Sequence, residues 1–211
     1  MFRKILYLFF VILLSSVVLG ACPSEMVSYW KFDTSYDNDF SSSIDTNLWT
    51  ETSSGTGTFS LTDGELNHSS VGGSSNSNSR LRSDFVLSGD FDVRVDFDIL
   101  EYTSNQPYTS SQLIAFKDGD ISTYFRLMRE TGTGYDQYSV KSTCWTHQGS
   151  ISEADTSGKY RLTRENDNLT GYKWDGSEWD VVGSWIGFTD DVMIEIYSGN
   201  SNSPYYSYEM H

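Results

Sequence analysis

The sequence predicts an all-β protein, an antiparallel β-sandwich built from two sheets. The 211-residue chain is rich in serine, threonine, asparagine, glycine, tyrosine and aspartate, and it contains only three prolines. Apolar and polar residues alternate with a period of two along most of the chain, whereas the 3.6-residue period of helices is hard to find. About a dozen short strand-like segments, separated by turn signals, are typical of a sandwich or a barrel.

The clearest strand is the stretch GDFDVRVDFDIL, residues 89–100. Its odd-numbered positions from Phe91 onward are apolar, and its even-numbered positions from Asp92 to Asp98 are charged. Successive side chains of a strand point to opposite faces of the sheet. We therefore predict that the apolar set packs on a core and that the charged set faces water or a groove.

The stretch WDGSEW, residues 174–179, predicts a hairpin with Gly176-Ser177 as its two-residue turn. This register pairs Tyr172 with Val181, Lys173 with Asp180 and Trp174 with Trp179. We predict that the aromatic face of the hairpin packs as core or clasps the two strands, and that the Lys–Asp pair lies on the other face. The alternative is that the two tryptophans clamp a flat ligand such as a sugar ring.

Residues 1–21 have the layout of a secretory signal peptide, with Arg3 and Lys4 before an apolar run and small residues after it. The run is about 15 residues long, shorter than the roughly 20 that a membrane-spanning helix needs, so a retained anchor is the lesser alternative. We expect residues 22–211 to form one domain, secreted or attached to the outer face of the cell membrane. The last stretch, SPYYSYEMH, either supplies the closing strand or is truncated.

Cys22 is open to three interpretations. The residues LGAC resemble the lipobox of bacterial lipoproteins, in which the cysteine is lipidated after cleavage. In an exported protein, Cys22 and Cys144 are also candidates for a disulfide. The lipid and the disulfide exclude each other because both use the thiol of Cys22, and a free thiol is the third possibility. Membrane contact is expected only through the leader or through a lipid on Cys22.

The chain is strongly acidic, with 29 aspartates and glutamates against 14 lysines and arginines and a net charge of −15. Such a charge repels nucleic acid and anionic membranes, and the sequence shows no basic stripe that would oppose it. We therefore expect no nucleic-acid partner.

Three stretches together resemble one fold family. YRLTRENDNLTGYKWDGSEWDVVGSW, residues 160–185, resembles the late hairpin of concanavalin A-like lectin and glucanase domains. DFSSSIDTNLWT, residues 39–50, resembles the start of the same domains, and MVSYWKFD, residues 26–33, resembles the first strand of laminin G-like jelly rolls. The resemblance implies a concanavalin A-like jelly roll over nearly all of the chain after the leader.

Glycosidases of that superfamily carry Glu-x-Asp-x-Glu on one strand, and this pattern is missing from the chain. The charged face of residues 92–98 has Arg94 where the pattern needs a carboxylate, and Glu195 stands alone in MIEIY. We therefore lean towards a protein that is not an enzyme. The alternative is a degenerate or active glycoside hydrolase, which requires Asp96 or Asp98 for hydrolysis.

Carbohydrate binding by a sandwich needs aromatic platforms and polar side chains away from the core. The candidates are Arg94, Tyr124, Arg126, Tyr138 and Trp145. The cofactor prediction is either none or a structural calcium, which is common in the family that the chain resembles; Asp37 and Asp39 are its preferred ligands.

These observations predict an exported, non-catalytic carbohydrate-binding or adhesion module of the cell surface. Its expected partner is an extracellular glycan or a surface polysaccharide. A glycoside hydrolase-like domain and a purely structural surface domain without a small ligand are the alternatives.

Overall fold

The computed structural model describes residues 43–62, 65–70, 77–101, 108–132, 134–143, 146–201 and 208–210. These residues form fourteen strands. In chain order they are β1 (Trp49–Ser54), β2 (Gly57–Thr62), β3 (Glu65–Ser70), β4 (Ser77–Ser83), β5 (Phe91–Glu101), β6 (Tyr108–Lys117), β7 (Asp120–Gly132), β8 (Tyr135–Ser142), β9 (Thr146–Ser152), β10 (Ser157–Glu165), β11 (Asn168–Trp174), β12 (Trp179–Ile186), β13 (Val192–Ser201) and β14 (Tyr208–Met210). Within the described ranges, no helix is long and apolar enough to cross a membrane.

The strands form two seven-stranded sheets. The first sheet has the order β1-β4-β13-β6-β7-β8-β9, and the second has the order β12-β11-β10-β5-β14-β3-β2. Within each sheet, every pair of neighbouring strands is antiparallel. The architecture confirms the predicted all-β class and the two-sheet antiparallel arrangement.

The core lies between the inner faces of the two sheets. The first sheet contributes Leu81, Leu113, Phe125, Leu127 and Val140, and the second contributes Phe91, Val93, Phe97, Leu162 and Leu169, all of them buried. Burying one such side chain contributes roughly 1.5–3 kcal/mol relative to leaving it in water. The alternation predicted for β5 is therefore confirmed, with its apolar positions on the core and its charged positions on the outer face.

The β11–β12 hairpin has the predicted register, with Trp174 opposite Trp179 and Lys173 opposite Asp180. The predicted core packing of its aromatic face is wrong, whereas the predicted clasp between Trp174 and Trp179 is confirmed. The side chain of Lys173 is buried on the inner side of the sheet, whereas Val181 on the aromatic face is 58% exposed. The charge of Lys173 is accepted inside because its amine forms ion pairs with Glu153 and with Asp180.

Two glycines allow an edge strand of one sheet to approach an edge strand of the other. A Cβ added to Gly149 of β9 would lie 2.0 Å from the carbonyl oxygen of Val182 in β12. A Cβ added to Gly183 of β12 would lie 2.8 Å from the carbonyl oxygen of Gln148. Real Cβ atoms do not approach backbone so closely, so this contact between β9 and β12 requires glycine at both positions.

Candidate functional site

A cleft of about 830 Å³ opens where β5, β10 and the turn between β11 and β12 meet. Its apolar lining comes from Leu66, Val95, Phe97 and Ile196. Since Ile196 belongs to the first sheet, the cleft reaches into the space between the two sheets. The half-buried ring of Trp174 adds an aromatic wall on the side of the hairpin turn.

The polar lining of the cleft is predominantly acidic. Its carboxylates are Glu65, Asp96, Asp98, Glu153, Asp155 and Asp175, and its cations are Arg94 and Lys159. The amine of Lys159 donates to Asp96 at 2.5 Å. Within the described ranges, the side chain of Asp98 has no hydrogen-bond or ion-pair partner, and it is exposed. Asp98 therefore retains its full accepting capacity for a ligand.

Two of the cleft carboxylates are anchored by buried side chains behind them. Asp155 accepts a hydrogen bond of 3.0 Å from the hydroxyl of Tyr138, and Glu153 accepts one from Lys173. Burial, and then the charge of Asp155, raises the pKa of Tyr138 above its usual range, so the phenol stays protonated and keeps donating. Burial by itself would lower the pKa of Lys173, but the hydrogen bond and charge of Glu153 outweigh it and raise that pKa.

The outer face of the second sheet continues directly from the cleft. We call the side chains of Asp92, Arg94, Arg161, Tyr172, Trp174 and Trp179 the aromatic–arginine face. The strand registers place Arg94, Arg161 and Tyr172 next to one another on β5, β10 and β11. Trp174 and Trp179 meet edge to face on β11 and β12.

Asp92 organises the aromatic–arginine face by accepting two hydrogen bonds from each arginine. The distances are 3.1 and 2.8 Å from Arg94 and 3.0 and 2.9 Å from Arg161. Burial would raise the pKa of Asp92, but the hydrogen bonds and charges of the two arginines outweigh it and hold that pKa below its ordinary value. The guanidinium of Arg161 lies 5.1 Å from the centre of the Tyr172 ring, and that of Arg94 lies 5.6 Å from the centre of the Trp179 ring.

The structure separates the side chains that the sequence suggested for ligand binding. Arg94 lines the cleft together with Asp96 and Asp98. Tyr124 and Arg126 lie on the outer face of the first sheet. Tyr138 is fully buried between the sheets, beside Phe97 and Tyr160, which corrects the prediction that it faces away from the core. Trp145 lies outside the described residues.

The outer face of the first sheet carries polar groups that bond mainly to one another. Glu195 accepts hydrogen bonds of 2.8 and 2.6 Å from Arg82. Glu130 accepts from Gln137, Ser139 and Lys141 at 2.6–2.9 Å. The guanidinium of Arg126 donates to Gln112 at 3.3 Å and lies 5.1 Å from the centre of the Tyr124 ring. These buried groups support one another, which leaves them less capacity for a ligand than Asp98 has.

Glu195 and Glu130 are too far apart to act together on a glycosidic bond. Glu195 pairs with Ile114, Ile114 pairs with Arg126, and Glu130 follows further along β7. Strand geometry then separates the two Cα atoms by roughly 17 Å. A glycosidase needs its two carboxyl groups within roughly 5–10 Å.

The predicted calcium ligands Asp37 and Asp39 lie outside the described residues, as do Cys22 and Cys144. Within the described ranges, one cluster of three carboxylates has the spacing to hold a cation: oxygens of Asp175, Glu178 and Asp180 lie within 4.8 Å of one another. Asp175 already accepts the backbone amides of Ser177 and Glu178 at 2.7 Å, and Asp180 lies 3.6 Å from Lys173. The hydrogen bonds in the hairpin turn and the contact with Lys173 thus explain the positions of Asp175 and Asp180 without a cation.

Sequence reasoning missed Glu153 and Asp155. Glu153 and Asp155 are separated by one residue in the segment that joins β9 and β10. That spacing of two carboxylates is the signal available in the sequence. For Trp174 the sequence predicts a hairpin core or clasp, with a clamp for a flat ligand as the alternative. Its ring contacts Trp179 and also lines the cleft.

The strand order and the sheet pairing define a concanavalin A-like jelly roll, and similar solved structures agree. The legume lectin-like domain from Entamoeba histolytica has a TM-score of 0.57 and 10% identity, covering 78% of this chain and 89% of that one. The lumenal domain of VIP36 in its Ca²⁺/Man2-bound form has a TM-score of 0.57 and 11% identity, covering 83% and 85%. The β-glucanase of Bacillus licheniformis has a TM-score of 0.52 and 15% identity, covering 81% and 92%.

The family follows from a match in sequence. Residues 28–184 match the family model described as "Protein of unknown function (DUF1583) C domain". The chain therefore belongs to the DUF1583 C domain family. A search of the curated proteins finds no match.

Proposed function

We propose that this domain is an exported, non-catalytic carbohydrate-binding module and that the cleft holds its ligand. The proposal is based on one observation: the unpaired carboxylate of Asp98 and the ring of Trp174 line the same cleft, together with apolar residues. Sugar hydroxyls donate hydrogen bonds to carboxylates, and the apolar faces of sugar rings pack on aromatic side chains. Ligand sites are concave and combine apolar and aromatic lining with polar groups that fix the orientation of the ligand.

The similar structures support a sugar ligand. One is named as a lectin-like domain, another carries Man2 and calcium, and a third is a β-glucanase. The leader-like first 21 residues support a location outside the cell, where the partner would be an extracellular glycan or a surface polysaccharide.

A glycoside hydrolase is the second candidate, because Asp96 and Asp98 both line the cleft. Alternate residues of a strand lie roughly 7 Å apart, which suits an inverting mechanism. The ion pair between Asp96 and Lys159 argues against it, because Lys159 occupies one of the two carboxylates that the mechanism needs.

The test is a glycan array with the leaderless chain, residues 23–211, run once with calcium and once with a chelator. We expect selective binding that Asp98→Asn and Trp174→Ala abolish. Asp118→Asn, an exposed change in the β6–β7 turn, should leave binding intact. Loss of binding with the chelator would add a calcium requirement.

The bound glycan is then incubated with the protein and analysed for shorter products. Cleavage that depends on Asp96 or Asp98 would show that the protein is a hydrolase and not a binding module. A folded protein that binds no glycan would favour a structural surface domain.

A further inference from the structure

We infer that the ligand is a neutral, linear glycan of several sugar units, which lies across the strands from the cleft to Trp179 on the aromatic–arginine face. This inference rests on the proposed carbohydrate-binding function. It adds a second binding region to the cleft and a chemical class to the ligand.

The cleft and the aromatic–arginine face share two side chains. Trp174 lines the cleft, and its ring meets Trp179 with centroids 5.2 Å apart. Arg94 also lines the cleft, and its guanidinium lies 5.6 Å from the centre of the Trp179 ring. A ligand that leaves the cleft therefore passes onto the aromatic–arginine face without crossing a gap between them.

The length of this surface requires more than one sugar. From Asp96 on β5 to Trp179 on β12 the path crosses three strand spacings, roughly 14 Å. This distance exceeds the size of a single pyranose ring, so a sugar held at Asp96 does not reach the strand that carries Trp179, and a further unit is needed to contact that ring. Val181, the next outward-facing residue along β12, is 58% exposed, so the surface beside Trp179 is open at the edge of the sheet.

The aromatic–arginine face has the chemistry that a sugar chain needs. Trp179 and Tyr172 offer half-buried rings, and the guanidinium of Arg161 lies between them, 5.8 and 5.1 Å from their ring centres. The hydrogen bonds to Asp92 fix both arginines in place, so the face is ordered before a ligand arrives. A preformed surface loses less conformational entropy on binding than a flexible one.

The charge of the site selects against acidic glycans. The cleft is lined by six carboxylates and two cations. The positive charge of Arg94 and Arg161 is partly compensated by Asp92, which lies between them. Like charges repel across an interface, so uronates and sulfated sugars are disfavoured in the cleft, and a neutral chain is the class that fits.

The test is calorimetric titration of the full mature chain with neutral gluco- and manno-oligosaccharides of one to six units and with uronate oligosaccharides of the same lengths. We expect the affinity for the neutral sugars to rise at least about tenfold from one unit to four, and the uronates to bind more weakly. Trp179→Ala should lower affinity for four or more units about tenfold and lower the monosaccharide affinity by much less.

Three further variants complete the test. Trp174→Ala should weaken every neutral ligand, because this ring contacts both regions. Ile186→Ala, a 71% exposed position on β12, is the matched control and should change nothing. If Trp179→Ala lowers the melting temperature, Trp179→Phe keeps the ring and should restore long-chain affinity.

The possible outcomes separate the inference from the function on which it rests. Binding that does not strengthen with chain length, or long-chain binding that survives Trp179→Ala, confines the ligand to the cleft and overturns the inference. Tighter binding of uronates overturns the neutral class. Absence of binding to every sugar of the series and of the array overturns the proposed function itself.

Discussion

The rings of Trp174 and Trp179 meet edge to face on the outer surface of the second sheet, with centroids 5.2 Å apart and planes inclined by 63°. Edge-to-face aromatic pairs stabilise a protein by about 0.5–1.5 kcal/mol beyond the burial of their surface. The pair therefore closes the hairpin and also presents aromatic surface to solvent.

Truncation of Trp179 should be tolerated better than truncation of a core ring. We expect Trp179→Ala to lower the free energy of unfolding by about 1–2 kcal/mol, because the pair contact and part of its burial are lost. Phe97→Ala, in the core, should cost about 3–5 kcal/mol. Chemical denaturation of both variants gives the comparison, and equal losses would return Trp179 to a core role.

Neutralising Asp92 should destabilise the sheet. Asp92→Asn leaves Arg94 and Arg161 facing each other without their shared carboxylate. We expect a loss of about 2 kcal/mol at neutral pH, less than for a fully buried pair because both arginines are partly exposed. Asp98→Asn on the same face of β5 is the control and should have no effect on stability.

The same contact has a definite pH dependence. The pKa of Asp92 is lower in the folded protein than its ordinary value of 3.8, so its stabilisation is complete above that value. It is lost as the pH falls through the lower, folded pKa. Acid unfolding curves of the wild type and of Asp92→Asn should therefore converge below pH ~3.8.

Adding a methyl group at the β9–β12 contact should separate the two edge strands. Gly149→Ala and Gly183→Ala each place a Cβ against backbone that cannot move independently. We expect each to lower the free energy of unfolding by about 1–3 kcal/mol or more. Ser150→Ala, an exposed neighbour on β9, controls for a change of residue alone and should be close to neutral. Unchanged melting temperatures in both glycine variants would contradict the close approach.

Buried His68 should make the domain sensitive to mild acid. Its side chain is fully buried, and burial lowers its pKa from 6.5 to about 4. The unfolded chain takes up the proton first, so stability is complete above pH ~6.5 and falls as the pH drops towards 4, by roughly 3 kcal/mol in total.

The measurement is the free energy of unfolding at half-unit pH steps. His68→Gln should flatten the profile between pH ~4 and ~6.5, because no group at this position then takes up a proton on unfolding. Ser150→Ala, at an exposed position, should reproduce the wild-type profile. If His68→Gln keeps the wild-type slope of stability against pH, that slope arises from other groups.

Local rules predicted much of the second sheet. The alternation along β5 and the register of the β11–β12 hairpin follow from side chains that are neighbours in sequence or across one turn. For the same reason Arg94, Asp96 and Asp98 were recognisable as members of one polar face.

The residues of the hairpin alone do not determine which of its two faces points into the protein. Hydropathy places Lys173 in water, but Glu153 from the segment between β9 and β10 meets its amine inside the protein. Tyr138 was misplaced for a related reason, since its hydroxyl suits an outer face until Asp155 provides an internal acceptor. The cleft itself depends on the convergence of that segment with β5, which no periodicity in the sequence records.

The glycine contact between β9 and β12 also bears on the behaviour of the protein at high concentration. These strands are terminal members of their sheets, and a terminal strand with free backbone groups is a template for adding a strand from another molecule. Because the two backbones shield each other at Gly149 and Gly183, this side of the sandwich resists recruiting further copies. Substitutions there should therefore promote self-association as well as unfolding.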